Sequence, residues 1–244
     1  MGPVTVLSIG TTHPWNIAGV GLDIRIGAEL DMGVFAVVCA VSAQDARGVH
    51  ALEILAPATI AAQLQAIPWE AVRAVRIGAL GAPEVVSVVA TALSRRDVPV
   101  VVDPVYAASD GGALAGERTL EVIAQTLGTM PQTILTPNLG EASALLGRQL
   151  GRDDLATAAI ALRDRGARAV LLKGGHLDGE PADALADADG VEIFVGERVA
   201  GEMRGTGCTL AMALACALAR GDALRDAVRF ARGFVHDKLV KNAR

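Results

Sequence analysis

Apolar runs of strand length, separated by stretches with helical spacing, constrain this chain more than any other feature. Residues 4–9, 34–41, 72–77, 98–102, 133–135 and 169–172 read as such strands, and 34–41, 98–102 and 169–172 are apolar throughout rather than alternating. A strand with one wet face alternates apolar and polar residues, whereas one covered on both faces has no need to. Between the runs, Leu22, Ile26 and Leu30 recur at four-residue spacing. Ile60, Leu64 and Ile67, and then Val85, Val88, Val89 and Leu93, each line one helical face. Pro57 and Pro83 stand where two of these helices start, a position at which the missing N–H is not needed. Strand and helix keep alternating, which predicts an α/β fold with a mostly parallel central sheet and helices on both faces. Residues 119–127, 142–146, 155–165, 207–219 and 223–240 supply further helices, and 42–48 reads as a polar turn. Residues 178–203 read as two or three antiparallel edge strands, with 191–195 the best of them. No linker or repeat interrupts the pattern, so residues 1–244 read as one domain.

The chain is 52% hydrophobic and only 3% aromatic, so its core is expected to be built from Ala, Val, Leu and Ile. A net charge of −5 without a Lys/Arg cluster argues against nucleic acid or an anionic membrane as a partner. No apolar run reaches membrane-spanning length, and the N-terminus shows no signal-peptide pattern. Cys39, Cys208 and Cys216 are odd in number and lack CxxC spacing, which argues against a disulfide framework or a zinc site and suits a reducing cytoplasm.

The polar residues gather in one place. Thr11-Thr12-His13, Gln44-Asp45, Asp103, Asn138 with Glu141, and Lys173 all lie just past the C-terminal end of an expected strand. That edge carries the ligand crevice in open α/β sheets. Gly205-Thr206-Gly207 feeds directly into a long Ala/Leu helix, so its free N–H groups and the helix dipole make an anion site. Cys208 stands at that helix start, where a thiol loses its proton most easily. The plainer alternative is a tight turn before a buried helix, with Cys208 as a small core residue. No GxxxxGK[ST] is present and no GxGxxG follows the first strand, so a phosphate site has to use the Gly205–Gly207 turn. Leu210 stands where a nucleophile elbow needs a small residue, which argues against a cysteine hydrolase built on Cys208.

TPNLGEA at 136–142, LKGGH at 172–176 and GTGCTLAMALA at 205–215 resemble the hydroxymethylpyrimidine/phosphomethylpyrimidine kinases of the ribokinase-like superfamily. AGVGLDI at 18–24 and AVSAQDARGV at 40–49 are similar to that family too, so the resemblance runs almost end to end in motif order. It implies a three-layer α/β/α sandwich, a homodimer, and transfer of the ATP γ-phosphoryl group to a thiamin pyrimidine precursor with Mg2+. It leaves the use of a monovalent cation open. Gly205, Thr206 and Gly207 would meet the charge on the transferred group, with Lys173 bridging the ATP phosphates. Glu141 and Asp103 would serve magnesium partly through water, and Asn138 would orient that shell or the phosphates. Asn138 and Glu141 also have the spacing of a capping box. Cys208 would be the base, its pKa lowered by the helix dipole. Gln44 would hydrogen-bond the aminopyrimidine, and Asp23, Gly19, Leu80 and His13 would lie on the substrate side.

Two stretches depart from the family pattern. The loop at 11–19 reads TTHPWNIAG where the family reads like GTDPSGGAG, and Leu80 stands where methionine is frequent. A cationic His13 there would favour a substrate that already carries a phosphate. A pyridoxal kinase is the alternative within the superfamily. A non-catalytic pyrimidine-binding domain is the alternative of another class, against which the intact Lys173, Glu141, Gly205 and Gly207 speak.

Overall fold

The structure is a computed structural model that describes residues 4–45, 47–106, 112, 114–175, 179–200 and 203–243. Its strands are β1 (Thr5–Thr12), β2 (Gly33–Asp45), β3 (Gly48–Ile54), β4 (Val72–Ile77), β5 (Val100–Val102), β6 (Thr133–Leu135), β7 (Ala169–Lys173), β8 (Ala182–Asp187) and β9 (Gly190–Val195). They form one sheet in the order β3-β2-β1-β4-β5-β6-β7-β8-β9. The central strands from β2 to β7 run parallel, and β3, β8 and β9 join antiparallel at the edges.

Side chains alternate between the two faces of a strand, so a strand between two helical layers needs apolar residues at successive positions. Leu7, Ile9, Val75, Ile77, Val100, Val102 and Leu135 face one layer. That layer holds α2 (Pro57–Gln65), α3 (Pro83–Leu93), α4 (Glu117–Gln125), α5 (Leu139–Leu146) and α6 (Leu155–Arg163). Val6, Ala74, Val101, Ile134 and Leu171 face the other, which holds α1 (Gly19–Glu29), α7 (Thr206–Ala219) and α8 (Leu224–Asn242). Every residue of α7 from Thr209 to Ala219 is buried. A helix apolar all round has to be wrapped on all sides, and α7 lies between the sheet, α1 and α8. The expected three-layer α/β/α sandwich is therefore the architecture observed.

One expectation changes and another holds. The stretch 42–48 is not a free turn: β2 continues to Asp45 and pairs back on β3 as a hairpin. Its polar Ser42 and Gln44 are buried and alternate with exposed Val41 and Ala43, so the usual apolar-in, polar-out signal of a strand is inverted. As expected, the described residues of 178–203 form antiparallel edge strands, β8 and β9, turned at Gly190 with φ +117°. Arg225 and Arg232 of α8 tie this hairpin down through Asp187 at 2.7 Å and Asp183 at 2.8 Å.

Candidate active site

The turn before α7 is shaped by what a side chain would hit. Gly205 is the N-cap, in the left-handed region at φ +77°. A Cβ there would collide with the carbonyl oxygen of Ile17 and press Leu22. Its carbonyl accepts the backbone N–H of Thr209 at 2.8 Å and the Thr209 hydroxyl at 2.9 Å. The N–H groups of Thr206, Gly207 and Cys208 are thereby left without intrahelical acceptors at the positive end of the helix. The loop after β1 is wedged against this turn. Gly19, at φ +60°, starts α1 so close to Thr11 that a Cβ would meet the Thr11 carbonyl oxygen. Its N–H faces the Cys208 sulfur, so the first turns of α1 and α7 converge.

Lys173 arrives from the end of β7. A bridge to Asn138 and a 2.8 Å bond from its N–H to the Pro137 carbonyl bring it beside the start of α5. Its Nζ lies 2.7 Å from Asp103 Oδ1, and a Cβ on Gly207 would lie 3.3 Å from that Nζ. The ammonium thus stands over the second glycine of the turn. Burial alone would push Lys173 down, but Asp103 and Glu141 outweigh it and the net direction is up, so the charge is kept. Asn138 and Glu141 form the capping box, with both reciprocal bonds at 2.8 Å. Burial pushes the Glu141 carboxyl up to about 7, against the pull of Lys173 and with the push of Asp103.

Four sequence expectations are corrected here. Asp23 is wholly buried and cannot touch a substrate: Ser8 Oγ donates to its Oδ2 at 2.6 Å and Arg76 Nη1 meets the same oxygen at 3.1 Å. Leu80 is likewise fully enclosed in the core behind the edge. His13 is disfavoured as a cation. Only 5% exposed, it accepts the Ala18 N–H on Nε2 at 3.2 Å, and burial followed by the nearby Arg204 charge outweighs that bond and drives its pKa down. The Cys208 thiol is pushed up rather than down, because burial outweighs the opposing pull of Arg76.

Gln44 reaches the edge on β2, 9% exposed, and its amide makes no hydrogen bond to the described residues. Arg204 links that strand end to the turn by donating from Nη1 to the Asp45 carbonyl at 2.8 Å. In the altered loop Asn16 takes φ +50°, and its Oδ1 occupies the space a Cβ at Gly21 would need. The glycine lost at 16 is thus matched by one on the facing helix, and Trp15 is left half exposed. His176 of the LKGGH motif lies outside the described residues.

The donor set also bears on a divalent cation. Both oxygens of Asp103 already take a cation, Oδ1 Lys173 and Oδ2 Arg76 at 3.2 Å, which leaves the expected contact with magnesium to be made through water. Among the described residues no three His, Cys, Asp or Glu side chains cluster closely enough to hold an ion. Glu141, with only Oε2 used by the cap, fits Mg2+ that arrives on phosphates and keeps several waters.

The phosphomethylpyrimidine kinase family matches residues 15–244. The chain belongs to this family. Hydroxymethylpyrimidine/phosphomethylpyrimidine kinase of Rhizobium meliloti is 36% identical over 236 residues, 94% of this chain and 88% of its own. That of Streptomyces coelicolor is 36% identical over 96% of this chain and 87% of its own. Among solved structures, phosphomethylpyrimidine kinase of Clostridium difficile has a TM-score of 0.84 at 28% identity, covering 97% of this chain and 99% of that one. Pyridoxal kinase of Staphylococcus aureus in complex with AMP-PCP has a TM-score of 0.89 at 27% identity, covering 98% and 89%. The fold is thus shared with kinases of a second vitamin, and the chain's own family is the pyrimidine one.

Ser8, Arg76 and Arg204 are polar partners of these side chains and loops that sequence reasoning missed. Arg76 carried a signal: it is two residues from Ala74 and so on the same side of the strand, opposite to the exposed Arg73.

Proposed function

We propose that this kinase transfers the γ-phosphoryl group of ATP to the phosphomethylpyrimidine precursor of thiamin, forming the diphosphate, and that the free hydroxymethyl alcohol is the poorer acceptor. The observation that carries the reading is the Lys173 ammonium over Gly207, with the open Gln44 amide on the same sheet edge. The N–H groups of residues 206–208 and Lys173 form a preorganised set of donors for the charge that develops on the transferred group. Mg2+, when bound with ATP, neutralises phosphate charge, and Glu141 is the side chain placed to hold its water shell. Gln44 can both donate to and accept from an aminopyrimidine edge.

The preference between acceptors follows from the thiol. A phosphate acceptor is largely ionised at neutral pH and needs no base. An alcohol needs its proton removed, and burial keeps the Cys208 thiol protonated at neutral pH, so little thiolate is present to take that proton. Arg204 adds a positive charge between the turn and the end of β2, which suits an anionic acceptor. Purified enzyme with ATP, Mg2+ and a panel of the pyrimidine alcohol, the pyrimidine phosphate and pyridoxal tests this, read by product mass. The pyrimidine diphosphate is the expected main product. Pyridoxal phosphate as the main product would move the enzyme to the alternative, and no phosphoryl transfer to any acceptor would leave a binding domain.

A further inference from the structure

Arg76 brings a charge into the dry interior directly beneath the anion-binding turn. It is fully buried, and the register of β4 sets it beside Ser8 of β1 and Val101 of β5, on the side facing α1 and α7. Its Nη1 lies 3.1 Å from Asp23 of α1 and its Nη2 3.2 Å from Asp103 at the end of β5. The other oxygen of Asp103 takes Lys173 at 2.7 Å, and the Cys208 sulfur of α7 is a further hydrogen-bonding neighbour of the guanidinium. The backbone makes room for this fork, since a Cβ on Gly78 would collide with Nη1. Buried ion networks are seldom more stable than apolar packing of the same volume, so stability alone is a weak reason for this one. A planar fork that spans two carboxylates fixes direction, which a point charge cannot do.

We propose that Arg76 is a positioning residue for phosphoryl transfer. Through Asp103 it fixes the Lys173 ammonium against the turn, and through Asp23 it fixes the start of α1 on the acceptor side. It touches neither nucleotide nor acceptor. Because phosphoryl transfer depends on placement and preorganised charge, a displaced Lys173 lowers rate in a protein that is still folded. The inference rests on the kinase reading above.

The test is the double variant R76M/D23N, which removes one charge of each sign and leaves Asp103 paired with Lys173. R76M alone leaves a buried carboxylate uncompensated and should lower Tm by about 10 °C. The double variant should regain most of that Tm while kcat stays down by about 100-fold, with ATP affinity by calorimetry about tenfold weaker. Recovery of kcat and ATP affinity together with Tm would reduce Arg76 to a charge balance and overturn the proposal. If the double variant does not fold, R76K decides. Its single ammonium reaches one carboxylate at a time, so kcat should fall about tenfold at a Tm near that of the wild type, and unchanged kcat would overturn the proposal. A wild-type enzyme that does not turn over the pyrimidine phosphate would refute the kinase reading instead, and the ATP-affinity arm, which needs no acceptor, would then decide on Arg76.

Discussion

At the scale of single residues, the proposed site works by holding charge in fixed places rather than by activating a nucleophile. Cys208 shows this most clearly. Its thiol is raised by burial, so it contributes little as a base to an acceptor that is already ionised. C208A should therefore keep turnover of the pyrimidine phosphate within about tenfold, whereas a general base is worth about 100- to 10,000-fold. Steady-state kinetics decide, and a loss of 100-fold or more would restore Cys208 as the base. Glu141 gives a pH signature. Its carboxyl, pushed up to about 7 from 4.5, favours the fold while protonated. That contribution is complete below the unfolded value of about 4.3 and is lost as pH rises through 7, on the order of 3 kcal/mol in all. E141Q should thus gain Tm over the wild type at pH 8 and lose that advantage at pH 5, measured without nucleotide. An equal difference at both pH values would contradict the burial of this charge.

At the scale of elements, the converging starts of α1 and α7 make the site, and glycine makes the convergence possible. A Cβ at Gly205 meets both a left-handed backbone and the Ile17 carbonyl. G205A should cost about 1–3 kcal/mol of stability and weaken ATP binding, since the 13–18 loop has to move away from the turn. Calorimetry with ATP checks this, and wild-type affinity would show that the loop and turn are independent. Much of this was legible in the sequence. The Ala/Leu run of α7 after Gly-Thr-Gly-Cys, and the placement of Asn138, Glu141 and Lys173 at strand ends, follow from period and turn chemistry. What was not legible depended on which residues pack against which. Asp23 looks like a charge on an amphipathic helix, and only the register of Ser8 beside Arg76 buries it. His13 looks like a surface cation until the Ala18 N–H takes its Nε2. The β2–β3 hairpin was hidden because its polar Ser42 and Gln44 turn inward while Val41 and Ala43 face out, the reverse of an ordinary edge strand.

At the scale of the whole molecule, the sheet order places five strand ends and one helix start along a single edge, and the rest of the chain supports them. The two apolar layers hold the sheet, while the antiparallel hairpins close its sides. This scaffold does not choose an acceptor, because pyridoxal kinase of Staphylococcus aureus carries the same fold. In the proposed reading the choice rests on the Gln44 amide, the Arg204 charge and a Cys208 thiol that stays protonated. The most direct test is the ratio of kcat/KM for the pyrimidine phosphate to that for the free alcohol, measured with ATP and Mg2+ at pH 7.5. A ratio of about tenfold or more in favour of the phosphate is expected if the alcohol lacks an effective base. Equal values, or a preference for the alcohol, would contradict it.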